Sequence, residues 1–233
     1  MSTSGFLIVD KPQNLSSHDV VQKVRKLFPD QKVGHGGTLD PLATGVLVLG
    51  IGKGTKHLQK CLNDDKEYYA ECSLGVTTDT QDSTGKILKN VNDFHVSKED
   101  VERNLTDFQG DIYQMPPMFS AKKVKGKRLY ELARKGVEVE REKRKIHIYE
   151  LTLIFFDGEK IAMNIRCSKG TYVRTLCHDL GEKIGVGAHM SSLKRTRSGS
   201  FSLDEAFDLD HLQSLSLEQR SQSLIPVDKN KSL

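Results

Sequence analysis

Residues 34–45 read Gly34-His35-Gly36-Gly37-Thr38-Leu39-Asp40-Pro41-Leu42-Ala43-Thr44-Gly45, and an apolar run over 46–49 follows at once. Glycine lets a backbone approach a ligand closely or take positive φ. Pro41 biases Asp40 toward an extended conformation, which would hold its carboxylate at the rim of a loop. Asp followed by Pro is also the ordinary N-cap and first position of a helix, and on the dipeptide alone that helix cap is the stronger reading. His35 shifts the balance. A titratable ring between glycines has little to pack on as core, which leaves a functional loop or a solvated turn.

Working outward, 46–49 reads as a buried strand and 5–9 as another, closed by a turn at Asp10-Lys11-Pro12. Ser16 or Ser17 caps a helix with Val20, Val21, Val24, Leu27 and Phe28 on one face, and Pro29 lies past its end. Downstream, Gly50-Ile51-Gly52-Lys53-Gly54-Thr55-Lys56 lacks the order of a phosphate loop or a dinucleotide fingerprint and reads as a solvated basic turn. A strand is expected over 68–74. Ser97 with Asp100 forms a capping box for a helix bearing Val101, Leu105 and Phe108 and ended by Gly110. Further helices are expected over 128–135, 171–184 and 204–215. Segments 146–156 and 160–167 form a hairpin across Asp157-Gly158, and 190–197 is extended. Strand and helix do not alternate strictly, so the expected class is α+β with a mixed, mainly antiparallel sheet flanked by helices.

The chain has 233 residues, 36% hydrophobic and 28% charged, which is the balance of a soluble globular protein. Charged residues interrupt every apolar run short of a bilayer span, and no basic stretch precedes the short apolar run at the N-terminus. A cytoplasmic protein without membrane contact is expected. Cys61, Cys72, Cys167 and Cys177 lack paired spacing, so neither a zinc site nor a disulfide framework is suggested and no metal is expected. The net charge of +4 favours an acidic partner only mildly. Its distribution says more: basic residues gather over 122–145 and 160–197, whereas the stretch after Leu203 is acid-rich. Lys122, Lys123, Lys125, Lys127 and Arg128 lie near Tyr130. Arg166, Lys169, Arg174, Lys194, Arg195 and Arg197 flank Tyr172 in the same way. Two basic and aromatic clusters point to nucleic acid. A competing enzyme reading comes from Ser120-Ala121-Lys122-Lys123, which fits the Ser-x-x-Lys pattern of serine acyl-enzymes. The Ser-Asp-Asn element that should accompany it is absent.

In chain order, Lys11-Pro12 with Ser16-Ser17, the 34–45 stretch, Lys66-Glu67-Tyr68, Thr78-Asp79-Thr80, residues 114–122, Lys127-Arg128-Leu129-Tyr130, residues 168–175 and Leu193-Lys194-Arg195 resemble the motifs of the TruB family. Its members are tRNA pseudouridine synthases that isomerise the T-loop uridine at position 55. The resemblance implies a pseudouridine-synthase-like catalytic domain over 1–201. It makes Asp40 the catalytic carboxylate, Tyr68 the ring against the target base and Arg174 the ion-pair partner of Asp40. His35 would stack where the flipped nucleotide left a gap, Tyr172 would pack beside the pocket and Leu193 would line it. Lys11 is architectural or phosphate-facing, and Lys122, Lys123 and Arg195 are expected on the RNA backbone. The reaction neither gains nor loses electrons, so no cofactor is expected. The partner is the T stem-loop of tRNA, met by a monomer. A non-catalytic RNA-binding relative is the alternative, and retention of Asp40, Tyr68 and Arg174 argues against it.

Three departures from the family pattern stand out. Asn14 replaces a usual Gly, which is tolerable because Asn enters left-handed conformations readily. Gly36 replaces a common Thr, which should loosen the loop beside His35. Residues 202–233 read as a short helical tail, too short for the RNA-binding PUA domain found in many bacterial members.

Overall fold

The first strand, β1 (Gly5–Lys11), runs antiparallel to β3 (Thr44–Ile51) in unbroken register from Gly5↔Ile51 to Lys11↔Gly45. Between them lie α1 (Ser17–Leu27) and the short strand β2 (Val33–His35), which pairs with β3 through His35↔Leu49. These belong to a computed structural model that describes residues 4–120, 122–124 and 126–227. The chain divides into two units, residues 1–68 with 193–233, and residues 69–192.

In the first unit β1 and β3 are buried almost throughout, which is why both read as continuous apolar runs rather than alternating ones. Phe6, Ile8, Val46 and Val48 form a cluster with Leu58, Cys61 and Phe201. The cap of α1 is as expected: Ser16 accepts from the Asp19 N–H while the Asp19 carboxylate accepts from Ser16. β1 runs two residues beyond the expected turn, because Asp10 and Lys11 still pair with Val46 and Gly45. Residues 52–57 are not a solvated turn. They form a 3₁₀ helix whose Gly54 lies on the backbone of Gly5, where a Cβ would come within 2.2 Å of the Gly5 oxygen. Next come α2 (Leu58–Asn63) and β4 (Lys66–Leu74), which carries the chain into the second unit.

The second unit contains the hairpin β5 (Val76–Thr78) and β6 (Ile87–Asn90), then α3 (Lys98–Thr106), β7 (Gly110–Gln114), β8 (Lys123–Val124), β9 (Lys127–Arg128) and α4 (Leu129–Ala133). The capping box of Ser97 and Asp100 is present. Gly110 starts β7 rather than ending α3, and α4 is shorter than the expected 128–135 helix. The long hairpin of β10 (Arg144–Phe156) and β11 (Lys160–Cys167) forms as expected, with β7 antiparallel on the other side of β10. Helix α5 (Val173–Ile184) buries Leu176, Cys177 and Leu180, and Gly185 ends it at φ 100°. β12 (Ala188–Ser198) returns the chain to the first unit, where Arg195 pairs with Gly45 in a parallel bridge to β3. That parallel bridge, beside the antiparallel pairs of β1 with β3, β2 with β3, β7 with β10 and β10 with β11, makes the sheet mixed.

After β12 come β13 (Phe201–Ser202), a 3₁₀ turn at Leu203–Glu205, α6 (Leu209–Ser214) and α7 (Leu217–Gln222). The expected single helix over 204–215 is therefore broken. The Phe207 N–H donates to Ile8 O at 2.9 Å and Phe207 O accepts from the Asp10 N–H at 3.0 Å, so the chain must extend there before Asp208 caps α6. Phe6 and Ile225 likewise exchange two backbone hydrogen bonds of 2.8 Å. Up to Val227, the expected tail is stitched to β1 and shares its core.

Candidate active site

The loop between β2 and β3 is built from its anchors inward. The Gly36 N–H donates to Val48 O at 2.8 Å, and Gly37 then turns at φ 138°, a conformation L side chains rarely take. Leu39 is held at both backbone groups by one hydroxyl. Its N–H donates to Ser17 Oγ at 2.8 Å and its carbonyl accepts from that same oxygen at 3.0 Å. On the other side of Asp40, the Pro41 carbonyl accepts from the Asn14 N–H at 2.9 Å and from Lys11 Nζ at 3.4 Å. Asn14 takes the left-handed conformation expected of it, at φ 67°. The helix cap that Asp40-Pro41 would suggest taken alone is not formed: a single turn closes, from the Ala43 N–H to Asp40 O. Asp40 itself is half-buried, between two pinned neighbours.

Lys11 is fully buried and also donates to Leu15 O at 2.7 Å and Pro12 O at 3.0 Å. Burial pulls its ammonium down to about 8, against the attraction of Asp40. It is architectural. Arg195 was expected on an RNA phosphate, but it is 1% exposed and its donors go to backbone carbonyls of the loop and β3. A side chain so enclosed does not meet a phosphate in solution. His35 is half-buried, and burial with the nearby Arg195 charge holds its imidazole below the usual range. A neutral ring suits stacking. Gly36 does not loosen the loop: a Cβ there would lie 2.7 Å from Cys61 Cβ, so the bare glycine packs the loop against α2.

Tyr68 lies half-buried in β4, just past Lys66. The Lys66 ammonium donates to Cys61 O at 2.9 Å and to Leu62 and Asp64 carbonyls, so it satisfies the C-terminal end of α2 and fixes the entry to β4. Leu193 is buried, and its carbonyl accepts from Thr44 Oγ1 at 3.4 Å.

In the second unit, Tyr172 and Arg174 sit at the start of α5. The buried Gln114 side chain holds Tyr172 by both backbone groups, accepting from its N–H at 2.8 Å and donating to its carbonyl at 3.0 Å. Arg174 donates to Phe119 O at 2.7 Å and lies 3.7 Å from the Asp82 carboxylate, both side chains being buried. Asp82 also accepts from Thr80 Oγ1 and from the Thr84 N–H and hydroxyl. Sequence reasoning missed Asp82, although its Thr80-x-Asp82-x-Thr84 spacing is that of a side-chain-closed turn. Ser17 was read only as an alternative helix cap, whereas its hydroxyl holds Leu39, and the hold of Gln114 on Tyr172 was not foreseen.

Lys122 is half-buried and pushed below the usual range by burial and by Arg144. Lys123 falls in β8, with its side chain outside the described residues, as are Ala121 and Lys125. Ser120 is 4% exposed, which shuts a would-be acyl-enzyme nucleophile away from solvent. Among the described residues, no group of three or more His, Cys, Asp or Glu is placed to hold a metal ion, and no helix is long and apolar enough to cross a membrane. The four cysteines are buried free thiols.

Against known proteins, residues 25–173 match the TruB family pseudouridylate synthase N-terminal domain, and residues 174–229 match the tRNA pseudouridylate synthase B C-terminal domain. The second match begins ahead of the boundary expected after residue 201. The tRNA pseudouridine synthase B of Syntrophotalea carbinolica is 47% identical over 96% of this chain and 73% of its own length. That of Clostridium tetani is 45% identical over 97% and 77%. Among solved structures, a chain of a Cbf5-Nop10-Gar1 complex superposes with TM-score 0.73 at 29% identity, over 95% of this chain and 60% of its own. A chain of the archaeal box H/ACA sRNP Nop10-Cbf5 complex gives 0.67 at 28%, over 89% and 52%. The chain thus spans little more than half the length of these structural neighbours. The family models, the curated relatives and the fold together are those of a pseudouridylate synthase. Within that class, the chain belongs to the TruB family.

Proposed function

We propose that this chain converts the T-loop uridine at position 55 of tRNA to pseudouridine, with Asp40 as the catalytic carboxylate. The observation that carries the reading is the pinning of Leu39 by Ser17 and of Pro41 by Lys11 and Asn14, which leaves Asp40 as the half-buried residue between fixed neighbours. A carboxylate so held needs little reorganisation to meet a substrate carbon or proton.

The reaction breaks the bond from uracil N1 to C1′, turns the base and joins C5 to C1′. C5 loses a proton and N1 gains one, so the product is an isomer of the substrate. The base must first leave the stack, at a cost of a few kcal/mol, and be received by aromatic and apolar groups. Tyr68 faces the flipped base, Leu193 and Tyr172 bound its pocket, and His35 fills the gap it leaves in the loop. Arg174 serves as the cation of the site, the role that the family resemblance gives it. Asp40 either attacks C1′ or removes a ribose proton to give a glycal. Lys122 and Lys123 contact the RNA backbone. The chain acts as a cytoplasmic monomer, with residues 1–201 as catalytic domain and without metal or cofactor.

The test is incubation of the purified protein with a T-arm RNA in EDTA and without cofactor, followed by chemical mapping of pseudouridine. Modification confined to the T-loop uridine is expected. Modification elsewhere, or none until a metal is added, would contradict the reading.

A further inference from the structure

Arg195 is the most deeply buried arginine of the first unit, and its partners describe a clamp. From β12 its Nε donates to Val46 O at 2.7 Å, its Nη2 to Gly37 O at 3.2 Å, and its Nη1 lies 3.5 Å from Thr38 O. Gly37 and Thr38 lead into Asp40, whereas Val46 follows the loop in β3. One planar group therefore grips the backbone on both sides of the catalytic residue. The approach of β12 depends on Gly45, where a Cβ would come within 2.2 Å of the Arg195 backbone oxygen. Gly37 is needed for its turn at φ 138° and leaves room for the guanidinium, a Cβ there lying 3.6 Å from Nη1.

We propose that Arg195 is a positioning residue for the isomerisation, holding the Asp40 loop in its working shape through the Gly37, Thr38 and Val46 carbonyls. This rests on the assignment of Asp40 as the catalytic carboxylate. A guanidinium suits the task because it is planar, carries five donors in a fixed fork and is weakly hydrated for a cation. Lysine offers a single point charge. Its ammonium cannot hold Gly37 and Val46 in one plane, even though it restores the charge. Losing the clamp leaves Ser17 and Lys11 still holding Leu39 and Pro41, so the loop should drift rather than collapse.

Arg195→Lys is the informative variant, compared with wild type in three measurements: single-turnover rate at saturating T-arm RNA, RNA affinity across a salt series, and amide hydrogen exchange. The expected rate loss is between about tenfold and a hundredfold, the scale set by small misplacement of a catalytic group. Affinity and its salt slope should stay within twofold of wild type. Exchange should quicken at residues 37–40 while the β1 amides keep their protection. Arg195→Ala should regain part of its rate with ethylguanidinium, which fills the vacated space, but not with ethylammonium. Should Arg195→Ala fail to fold, the lysine variant decides alone. A lysine variant with wild-type rate and exchange would overturn the proposal. So would weaker affinity with a shallower salt slope at full saturated rate, the signature of a lost phosphate contact. Equal loosening of β1, β3 and the loop would also overturn it, by making Arg195 general scaffolding. A wild-type protein that binds T-arm RNA yet forms no pseudouridine would refute the functional reading instead, and the exchange experiment would then judge the clamp by itself.

Discussion

The cations beneath the 36–43 loop and those along 126–145 are the same residue types in opposite circumstances. Lys11 and Arg195 are 0% and 1% exposed and donate to backbone carbonyls, Lys11 to Pro12, Leu15 and Pro41 and Arg195 to Gly37, Thr38 and Val46. Lys127, Arg134, Lys135, Lys143, Arg144 and Lys145 are exposed, and their recorded contacts are surface ones, such as Lys145 with Asp111 and Arg134 over the Tyr130 ring. A buried cation must be compensated by fixed dipoles, so it shapes the backbone around it. An exposed one gains little from a single surface pair and is available to a polyanion. Positive charge in a sequence does not by itself locate an RNA contact; burial sorts the cations that build the site from those that can meet a phosphate.

The largest effect should come from the residue that the buried cations serve. Asp40→Asn keeps shape and loses charge and basicity, and is expected to cut turnover by at least about a thousandfold with RNA affinity retained. A smaller loss would mean that the loop is fixed for some purpose other than presenting a carboxylate. His35→Ala should act on capture, raising KM about tenfold with kcat at saturating RNA nearly intact. A collapse of saturated turnover with unchanged affinity would reject its stacking role.

Outside the two fully buried cations, the half-buried Lys122 tests the phosphate side: Lys122→Ala should lower affinity a few-fold, flatten the dependence of log Kd on log salt by about one and leave the saturated rate alone. A rate effect there would erase the distinction between the two regions. The smallest signal is thermodynamic. Unfolded Lys11 stays protonated up to the ordinary lysine value of 10.5, whereas in the folded chain burial pulls it down to about 8. Between those values the unfolded chain binds more protons, so the contribution of Lys11 to stability rises with pH. Cys61, pushed up to about 11 by burial, works the other way above pH 9. The measurement is therefore the difference between wild type and Lys11→Met in denaturant unfolding. That difference should shift in favour of wild type from pH 8 to 10.5, and parallel profiles would contradict the burial of a charged Lys11.

Local features were legible in the sequence. The cap at Ser16, read as Ser16 or Ser17, the capping box at Ser97, the hairpin across Asp157-Gly158 and the end of α5 at Ile184 depend on neighbours a few residues away. All were read from spacing, whereas α5 starts at Val173 rather than at Thr171. The Asp40 loop was legible because its glycines and proline are themselves the backbone constraint. What failed was non-local. Phe207 breaks the expected 204–215 helix because Ile8 and Asp10 claim its backbone, and nothing within 204–215 reveals that. Gly36 looked like a loosening because Cys61, which fills the space of its absent side chain, lies on α2. Arg195 was read with its basic neighbours as phosphate-facing, although alternation along β12 turns Leu193 and Arg195 inward and leaves Lys194 between them on the other, half-exposed face. Asp82 escaped notice because its partner Arg174 is on another element.

Joining C5 to C1′ must expel the C5 hydrogen. Release of tritium from a T-arm RNA carrying [5-³H]uridine therefore tests the central claim most directly. Wild type should release the label from the T-loop uridine to completion, without cofactor, and Asp40→Asn should release none while binding the same RNA. Release by Asp40→Asn at the wild-type rate, or none from wild type bound to the RNA, would contradict the account.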